Sequence, residues 1–75
     1  TNCTVNITDC VLNSNYAPNA TYCGNGIQDK NGTNNTYNIR NTTFNGTNAQ
    51  PWQTSSTTVI NDLGGNVYNT TRTTN

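Results

Sequence analysis

Side chains that could carry out acid–base chemistry are sparse in this chain of 75 residues. It has three aspartates, three Lys or Arg residues, no glutamate and no histidine. Hydrolysis of a glycosidic bond needs two carboxyl groups at a set separation with pKa values pushed apart, and the spacing of Asp9, Asp29 and Asp62 suggests no such pair. Because Asp is a common turn residue, we interpret all three as turn-forming and expect no catalytic residues.

The three cysteines, Cys3, Cys10 and Cys23, are typical of an oxidising compartment, and their odd number leaves one without a partner in a single chain. The predicted disulfide joins Cys10 to Cys23; Cys3 with Cys23 is the alternative, and a bridge to another copy stays open. Three unclustered cysteines without histidine cannot complete a tetrahedral zinc site. We therefore expect no metal and no cofactor.

Asparagine, threonine and serine make up nearly half of the chain. Eight asparagines begin Asn-x-Ser/Thr sequons, namely Asn2, Asn6, Asn19, Asn31, Asn34, Asn41, Asn45 and Asn69. This density predicts a glycoprotein with covalent N-glycans, secreted or displayed at the cell surface. The alternative is an Asn/Thr-rich composition in which the sequons are accidental.

Composition also limits the core and the partners. Apolar residues form 29% of the chain, against about 45–50% in ordinary globular domains, so a broad core is not expected. The formal net charge is zero and no basic cluster is present, which indicates no nucleic-acid partner. No apolar stretch approaches membrane-spanning length, so we expect no membrane insertion.

Short strands are the elements that must position these residues. Residues 37–49 repeat residues 5–17 without a gap, at an offset of 37 − 5 = 32 residues. In this alignment Tyr37 falls on Val5, Ile39 on Ile7 and Phe44 on Leu12, so apolar positions stay apolar. The alternation from residue 3 to residue 7 predicts a strand with Cys3, Val5 and Ile7 facing inward.

The remaining segments follow the same pattern of short strands and polar turns. Ile27 and residues 57–60 are interpreted as strands, and Gly24 and Gly26 precede Ile27 as Gly64-Gly65 precedes Val67, which makes Ile27 and Val67 equivalent. Residues 50–58 are predicted to be a long loop carrying Trp52. Its ring either packs on the side of the fold or serves as a sugar-stacking platform.

The two ends of the chain also continue one another. Residues 64–75 followed by residues 1–7 show the same order of glycines, strand, turn and alternating strand as residues 24–39. We therefore expect residues 1–75 to be a single repeat unit with coil-like copies at 64–75 plus 1–23 and at 24–49. Such a unit is one period of a tandem or stacked array.

The glycine motifs resemble those of a known family. Gly-x-Gly-Ile at 24–27 and Gly-Gly-x-Val-Tyr-Asn at 64–69 combine with Leu-x-x-Asn at 12–15 and Phe-x-x-Thr at 44–47. They are similar to the Gly-Gly-Ala-Ile and Phe-x-x-Asn repeats of polymorphic outer-membrane-protein-type adhesins, with Asn66 for Ala and Thr47 for Asn. The resemblance implies an all-β fold, a right-handed parallel β-helix or β-solenoid, here of two to three coils.

These observations predict a structural secreted glycoprotein that assembles head to tail into an extracellular fibril or surface coat, with copies of itself and glycans as partners. The alternative is an adhesin or carbohydrate-binding module that uses Trp52. An ice-binding face is disfavoured because Thr71-Arg-Thr73 has no Thr-x-Thr counterpart at residues 31–33. A disordered, mucin-like stalk is disfavoured because proline is rare and the apolar residues are periodic.

Overall fold

The computed structural model describes residues 1–14, 24–46 and 49–70. Within these ranges the chain forms eight strands and no helix. The strands are β1 (Thr4–Thr8), β2 (Val11–Ser14), β3 (Gly24–Asp29), β4 (Thr36–Arg40), β5 (Thr43–Gly46), β6 (Ala49–Thr54), β7 (Val59–Asp62) and β8 (Val67–Thr70). The prediction of an all-β fold is confirmed for the described part of the chain.

The strands form three sheets in which every neighbouring pair is parallel. The first sheet has the order β1-β4-β7, the second β2-β5-β8, and the third contains β3 and β6. The chain visits the three sheets in turn, so we call β1–β3 the first pass, β4–β6 the second and β7–β8 the third. This order is compatible with a β-solenoid, although the described strands do not close one.

The internal repeat sets the register between the first two passes. Val5 lies opposite Tyr37 and Ile7 opposite Ile39 in the first sheet, and Leu12 lies opposite Phe44 in the second. Because parallel strands place paired residues on the same face, each of these three apolar residues lies over an apolar residue of the next pass. The predicted alignment at an offset of 32 is confirmed at these strands.

The third pass is shorter and follows a different offset. Asn61 of β7 is 23 residues from its neighbour Asn38, whereas Asn69 of β8 is 24 residues from Asn45. The corner between β7 and β8 therefore holds one more residue than the corner between β4 and β5. Leu63 lies in this corner and is exposed.

The core is small and centred on the second pass. Ile27, Ile39 and Phe44 are buried, and the partly buried residues that pack against them are Ile7, Leu12, Tyr37, Trp52 and Ile60. Two positions predicted to face inward are not buried, since Cys3 is exposed and Val5 is 38% exposed. The reason is that β4 is the one described strand that pairs with β1, so side chains in and beside β1 have no further described pass above them.

The predicted loop over residues 50–58 is wrong for its first part, because residues 49–54 form strand β6. Pro51 obscured the strand, since proline lacks a backbone N–H and is tolerated mainly in edge strands. Among the described strands, β6 pairs with β3 alone, and Trp52 lies opposite Ile27.

The predicted equivalence of Ile27 and Val67 is also wrong. Ile27 pairs with Trp52 in the third sheet, whereas Val67 pairs with Thr43 in the second. The glycines that precede Ile27 and Val67 have different structural roles. Gly26 lies against the Phe44 ring, while Gly64 and Gly65 adopt positive φ values of 107° and 72° in a corner.

The corners between strands are built from short polar residues with left-handed backbone. Asn2, Asp9, Asn34 and Asn41 each have a φ of 56°, a conformation that Asn and Asp tolerate better than other side chains. They form two pairs separated by the repeat length, Asn2 with Asn34 and Asp9 with Asn41. The interpretation of Asp9 as a corner residue fits its backbone geometry.

Candidate functional site: asparagine ladders and open sheet ends

Asparagine side chains form two hydrogen-bonded ladders that run across the passes. In the first sheet, Asn38 Nδ2 donates to Asn6 Oδ1 and Asn61 Nδ2 donates to Asn38 Oδ1, both at 2.9 Å. In the second sheet, Asn45 Nδ2 donates to Asn13 Oδ1 and Asn69 Nδ2 donates to Asn45 Oδ1, both at 3.1 Å. A primary amide has donors and acceptors, so an identical side chain can satisfy it on each side.

Both ladders point in the same direction. The rungs of β1 and β2 accept a hydrogen bond from the second pass, and the rungs of β7 and β8 donate one to it. No described residue accepts from Nδ2 of Asn6 or Asn13, or donates to Oδ1 of Asn61 or Asn69. One end of the molecule, the β1 end (β1 and β2), therefore presents amide donors. The opposite β7 end (β7 and β8) presents amide acceptors.

Both ends also expose apolar side chains on edge strands. Val5 and Val11 lie at the β1 end, and Val11 is 62% exposed. At the β7 end, Val59, Val67 and Tyr68 are exposed. Because β1, β2, β7 and β8 each pair with one strand among those described, their outer backbone groups are a template for another strand.

Two clusters of Asp, Asn and Tyr fasten the corners next to these strands. In the first, Asp29 Oδ2 accepts hydrogen bonds from Asn35 Nδ2 and the Tyr37 hydroxyl, both at 3.0 Å. In the second, which we call the Asp62 clamp, Asp62 accepts from Asn66 Nδ2 at 2.7 Å and from the Tyr68 hydroxyl at 2.8 Å. The two aspartates are thus held in structural hydrogen bonds.

The hydrogen bonds and burial in these two clusters, which we call the Asp29 clamp and the Asp62 clamp, shift the pKa values of the residues in them. The hydrogen bond from Asn35, followed by that from Tyr37, lowers the pKa of Asp29, although burial opposes the shift. The Tyr68 hydroxyl, the Gly64 amide and Asn66 lower the pKa of Asp62. Burial and the neighbouring Asp62 raise the pKa of Tyr68 to about 12. The carboxyl groups stay ionised and the phenol stays neutral near pH 7.

Comparison with protein-family models, with curated proteins and with solved structures found no match to this chain.

The structure divides the predicted glycosylation sites into two groups. Asn6, Asn41, Asn45 and Asn69 take part in hydrogen bonds between passes, with Asn41 Nδ2 donating to Asp9 Oδ1 at 3.0 Å. Asn2, Asn31 and Asn34 are exposed outside the strands. Asn19 lies outside the described residues. Glycosylation at these eight positions stays a prediction.

No disulfide is present among the described residues. Cys3 and Cys10 are both free thiols, with Sγ atoms that lie 3.4 Å from the Thr1 carbonyl oxygen and 3.2 Å from the Thr8 carbonyl oxygen. Cys23, the partner in both proposed bridges, lies outside the described residues. Proximity in the chain favoured Cys10 with Cys23, and both pairings stay predictions.

Trp52 belongs to an aromatic cluster. Its ring centroid lies 5.9 Å from that of Phe44 and 5.7 Å from that of Tyr68, in edge-to-face geometry, and Phe44 stacks on Tyr68 at 5.4 Å. The side chain is half-buried against the core. Packing is therefore its observed role, and sugar stacking by Trp52 stays a prediction.

The described residues contain no group of three or more His, Cys, Asp or Glu that could hold a metal ion. None of them belongs to a helix long and apolar enough to cross a membrane.

Sequence reasoning missed the ladders and the clamps. The alignment of Asn38 with Asn6 and of Asn45 with Asn13 contained the ladder signal, since identical amides at paired positions can bond along a sheet. The third rungs, Asn61 and Asn69, were hidden by their different offsets. The sequence contains one signal for the clamps, an Asn-x-Tyr triplet that occurs at residues 35–37 and again at residues 66–68.

Proposed function

We propose that this chain is a non-catalytic structural unit whose copies join end to end into an extracellular fibre or surface coat. The observation that carries the proposal is the presence of open, parallel edge strands at both ends, each with exposed apolar side chains. Such edges are sites of strand addition unless charge, proline or a covering segment blocks them. Asp62 of β7 is the one charged residue in the described edge strands at the β1 and β7 ends, and its carboxylate accepts hydrogen bonds within its own chain.

A right-handed β-solenoid, of the kind found in polymorphic outer-membrane-protein-type repeats, is the proposed architecture of the unit. The order in which the chain visits three parallel sheets supports it. The glycine motifs do not, because they occupy different positions in the passes. A solenoid of few passes depends on neighbours or caps to cover its terminal passes, which agrees with an assembling unit.

We also propose that the unit is secreted and carries N-glycans. Its formal charge is zero, and neutral surfaces tend to associate without control. Glycans at the exposed sequons Asn2, Asn31 and Asn34 would supply solubility at the corners while leaving the sheet ends open. Intact mass of the native glycoprotein before and after glycosidase treatment tests this part, and an unchanged mass contradicts it.

Electron microscopy across a range of protein concentrations tests assembly. We expect filaments for the unaltered chain, and monodisperse compact particles at every concentration would refute the proposal. Val67→Lys places a charge on the exposed edge of β8 and should abolish filaments while the circular dichroism spectrum is retained. Ser56→Lys, which puts the same charge on an exposed turn, is the matched control and should assemble normally.

A further inference from the structure

The ladders have chemically complementary ends. At the β1 end the outward groups are the Nδ2 donors of Asn6 and Asn13, because their Oδ1 atoms already accept from the second pass. At the β7 end the outward groups are the Oδ1 atoms of Asn61 and Asn69, because their Nδ2 atoms already donate to it. A donor end and an acceptor end fit each other when two copies share one orientation.

The apolar side chains beside the ladders fit the same alignment. Within the molecule, Val5, Tyr37 and Ile60 occupy one column across the first sheet, and Leu12, Phe44 and Tyr68 occupy one column across the second. Adding another β1 end above β7 and β8 extends each column by an apolar residue. Val5 would cover Ile60, and Leu12 would cover Tyr68.

We propose that the partner at each end is a second copy of this chain, with its β1 and β2 strands added to β7 and β8 in the register that continues both asparagine ladders. In this joint Asn6 donates to Asn61 of the copy below, and Asn13 donates to Asn69. Val11 lies over Val67. The inference rests on the proposed function and adds the orientation, the register and the residues of the joint.

One position of the joint places an apolar side chain over a charged one. Ile7 and Ile39 are paired, and Ile39 is paired with Asp62, so the joint places Ile7 over Asp62. The carboxylate of Asp62 already accepts three hydrogen bonds within its own chain, from Gly64, Asn66 and Tyr68. The Asp62 clamp therefore satisfies the charge before a second copy arrives.

An unrelated strand fits the edges less well than a second copy. Any strand can pair with the open backbone, but a partner must also present two amides with the spacing of the ladders, one on each of two sheets. The β1 end of this chain has that spacing, because it already matches the second pass at the repeat offset of 32 residues. The asparagine side chains then select a second copy of this chain, and the backbone hydrogen bonds between edge strands hold the two copies together.

Asn13→Asp tests the ladder at the joint alone. The carboxylate can still accept from Asn45, so the internal rung is kept, but the outward donor is lost and an acceptor faces Asn69 Oδ1. Asn13 is not in a sequon, so glycans are unaffected. We expect the concentration needed for filaments to rise at least about tenfold. Ser56→Asp adds the same charge on an exposed turn and should change nothing.

Cross-linking measures the register directly. In a background of Cys3→Ser, Cys10→Ser and Cys23→Ser, the pair Val11→Cys with Val67→Cys should link copies into dimers, trimers and longer chains with a short bifunctional thiol reagent. The pair Val11→Cys with Val59→Cys, which belong to different sheets, should not. This readout remains informative if Asn13→Asp proves unable to fold.

The outcomes separate the two proposals. If the unaltered chain forms no filaments, the proposed function fails and this joint fails with it. If filaments form but the Val11/Val59 pair links instead of the Val11/Val67 pair, the register is overturned and assembly stands. If Asn13→Asp folds and assembles at the wild-type concentration, continuation of the ladders is overturned. If Asn13→Asp folds but does not assemble at the wild-type concentration, and the Val11/Val67 pair links copies, the joint is supported as described.

Discussion

Gly26 is the residue at which the core tolerates the least change. A Cβ there would lie 2.7 Å from Cδ2 of Phe44 and 2.8 Å from the carbonyl oxygen of Pro51, both closer than van der Waals contact allows. The Phe44 ring is 1% exposed and is held by other aromatic rings. The missing side chain is therefore part of how the second and third sheets meet.

We expect Gly26→Ala to lower the free energy of unfolding by about 1–3 kcal/mol, because overpacking moves the ring or the backbone of β6. Urea denaturation measures the change. In a Phe44→Leu background the same substitution should cost less, since the smaller side chain leaves room for the new methyl group. An equal cost in both backgrounds would show that the ring is not what Gly26 accommodates.

The clamp residues predict how stability depends on pH. The pKa of Asp29 and that of Asp62 are lowered from the ordinary value of 3.8, so their contribution is present above about pH 4 and is lost as pH falls through the lowered values. The pKa of Tyr68 is raised to about 12, so its contribution is present below about pH 10 and is lost as pH rises towards 12. Stability should therefore fall on both sides of a broad plateau.

Urea midpoints measured from pH 2 to pH 12 test this profile. Tyr68→Phe should reduce the alkaline loss, because the phenol that must stay neutral is gone, and Asp62→Asn should reduce the acid loss. A flat profile in the unaltered chain would contradict the role assigned to the clamps.

At the scale of the strands, the ladders should stabilise pairing in proportion to the bonds that each rung makes. Asn38 is a middle rung with two ladder bonds, and Asn61 is a terminal rung with one. With about 1 kcal/mol for each hydrogen bond, Asn38→Ala should cost about 2 kcal/mol and Asn61→Ala about half as much. Urea denaturation of both, with Ser56→Ala as a control near zero, gives the comparison. Equal costs would contradict the ladder account.

Strand pairing was predictable where the repeat kept one length. Residues 5–7 and 37–39 could be matched by eye, and so could Leu12 and Phe44, because apolar side chains recur where stacked strands must share a face. Residues 57–60 were interpreted as a strand, but the pairing of the third pass with the second was missed because the spacing changes from 23 to 24 residues across one corner. Strand β6 escaped because Pro51 and its polar neighbours are typical of a loop.

The site was less predictable than the strands for a physical reason. Asn6 could be placed on the outer face by alternation, but alternation does not say that stacked amides bond to one another. The glycine motifs also gave a wrong prediction, because the two glycines have different causes. At Gly26 the Phe44 ring approaches the backbone closely, and at Gly65 the backbone has a positive φ. The same residue type can occur at two positions for different structural reasons, and the residue type alone does not show which reason applies.

For the whole molecule, the scarcity of charge predicts how assembly responds to salt. The chain carries three acidic and three basic residues, and the one charged residue in the strands of the proposed joint is Asp62, which faces the apolar Ile7. Screening should therefore have little to act on. Between about 50 and 500 mM sodium chloride, we expect the concentration needed for filaments to change less than about threefold. Sedimentation measures it, and a tenfold rise would point to ion pairs across the joint.

The molecule is thin, and this has a consequence for its durability. Its principal extents are 32 × 27 × 14 Å, and three parallel strands spaced about 4.8 Å apart account for the short one. Among the described strands, β4 and β5 of the second pass alone have neighbours on both sides, and they hold Ile39 and Phe44 at 0% and 1% exposure. In a single molecule most of the described strands lie at an open end of a sheet. Each added copy covers such strands, so a fibre of these units would lose copies only from its two ends and would last longer the more copies it contains.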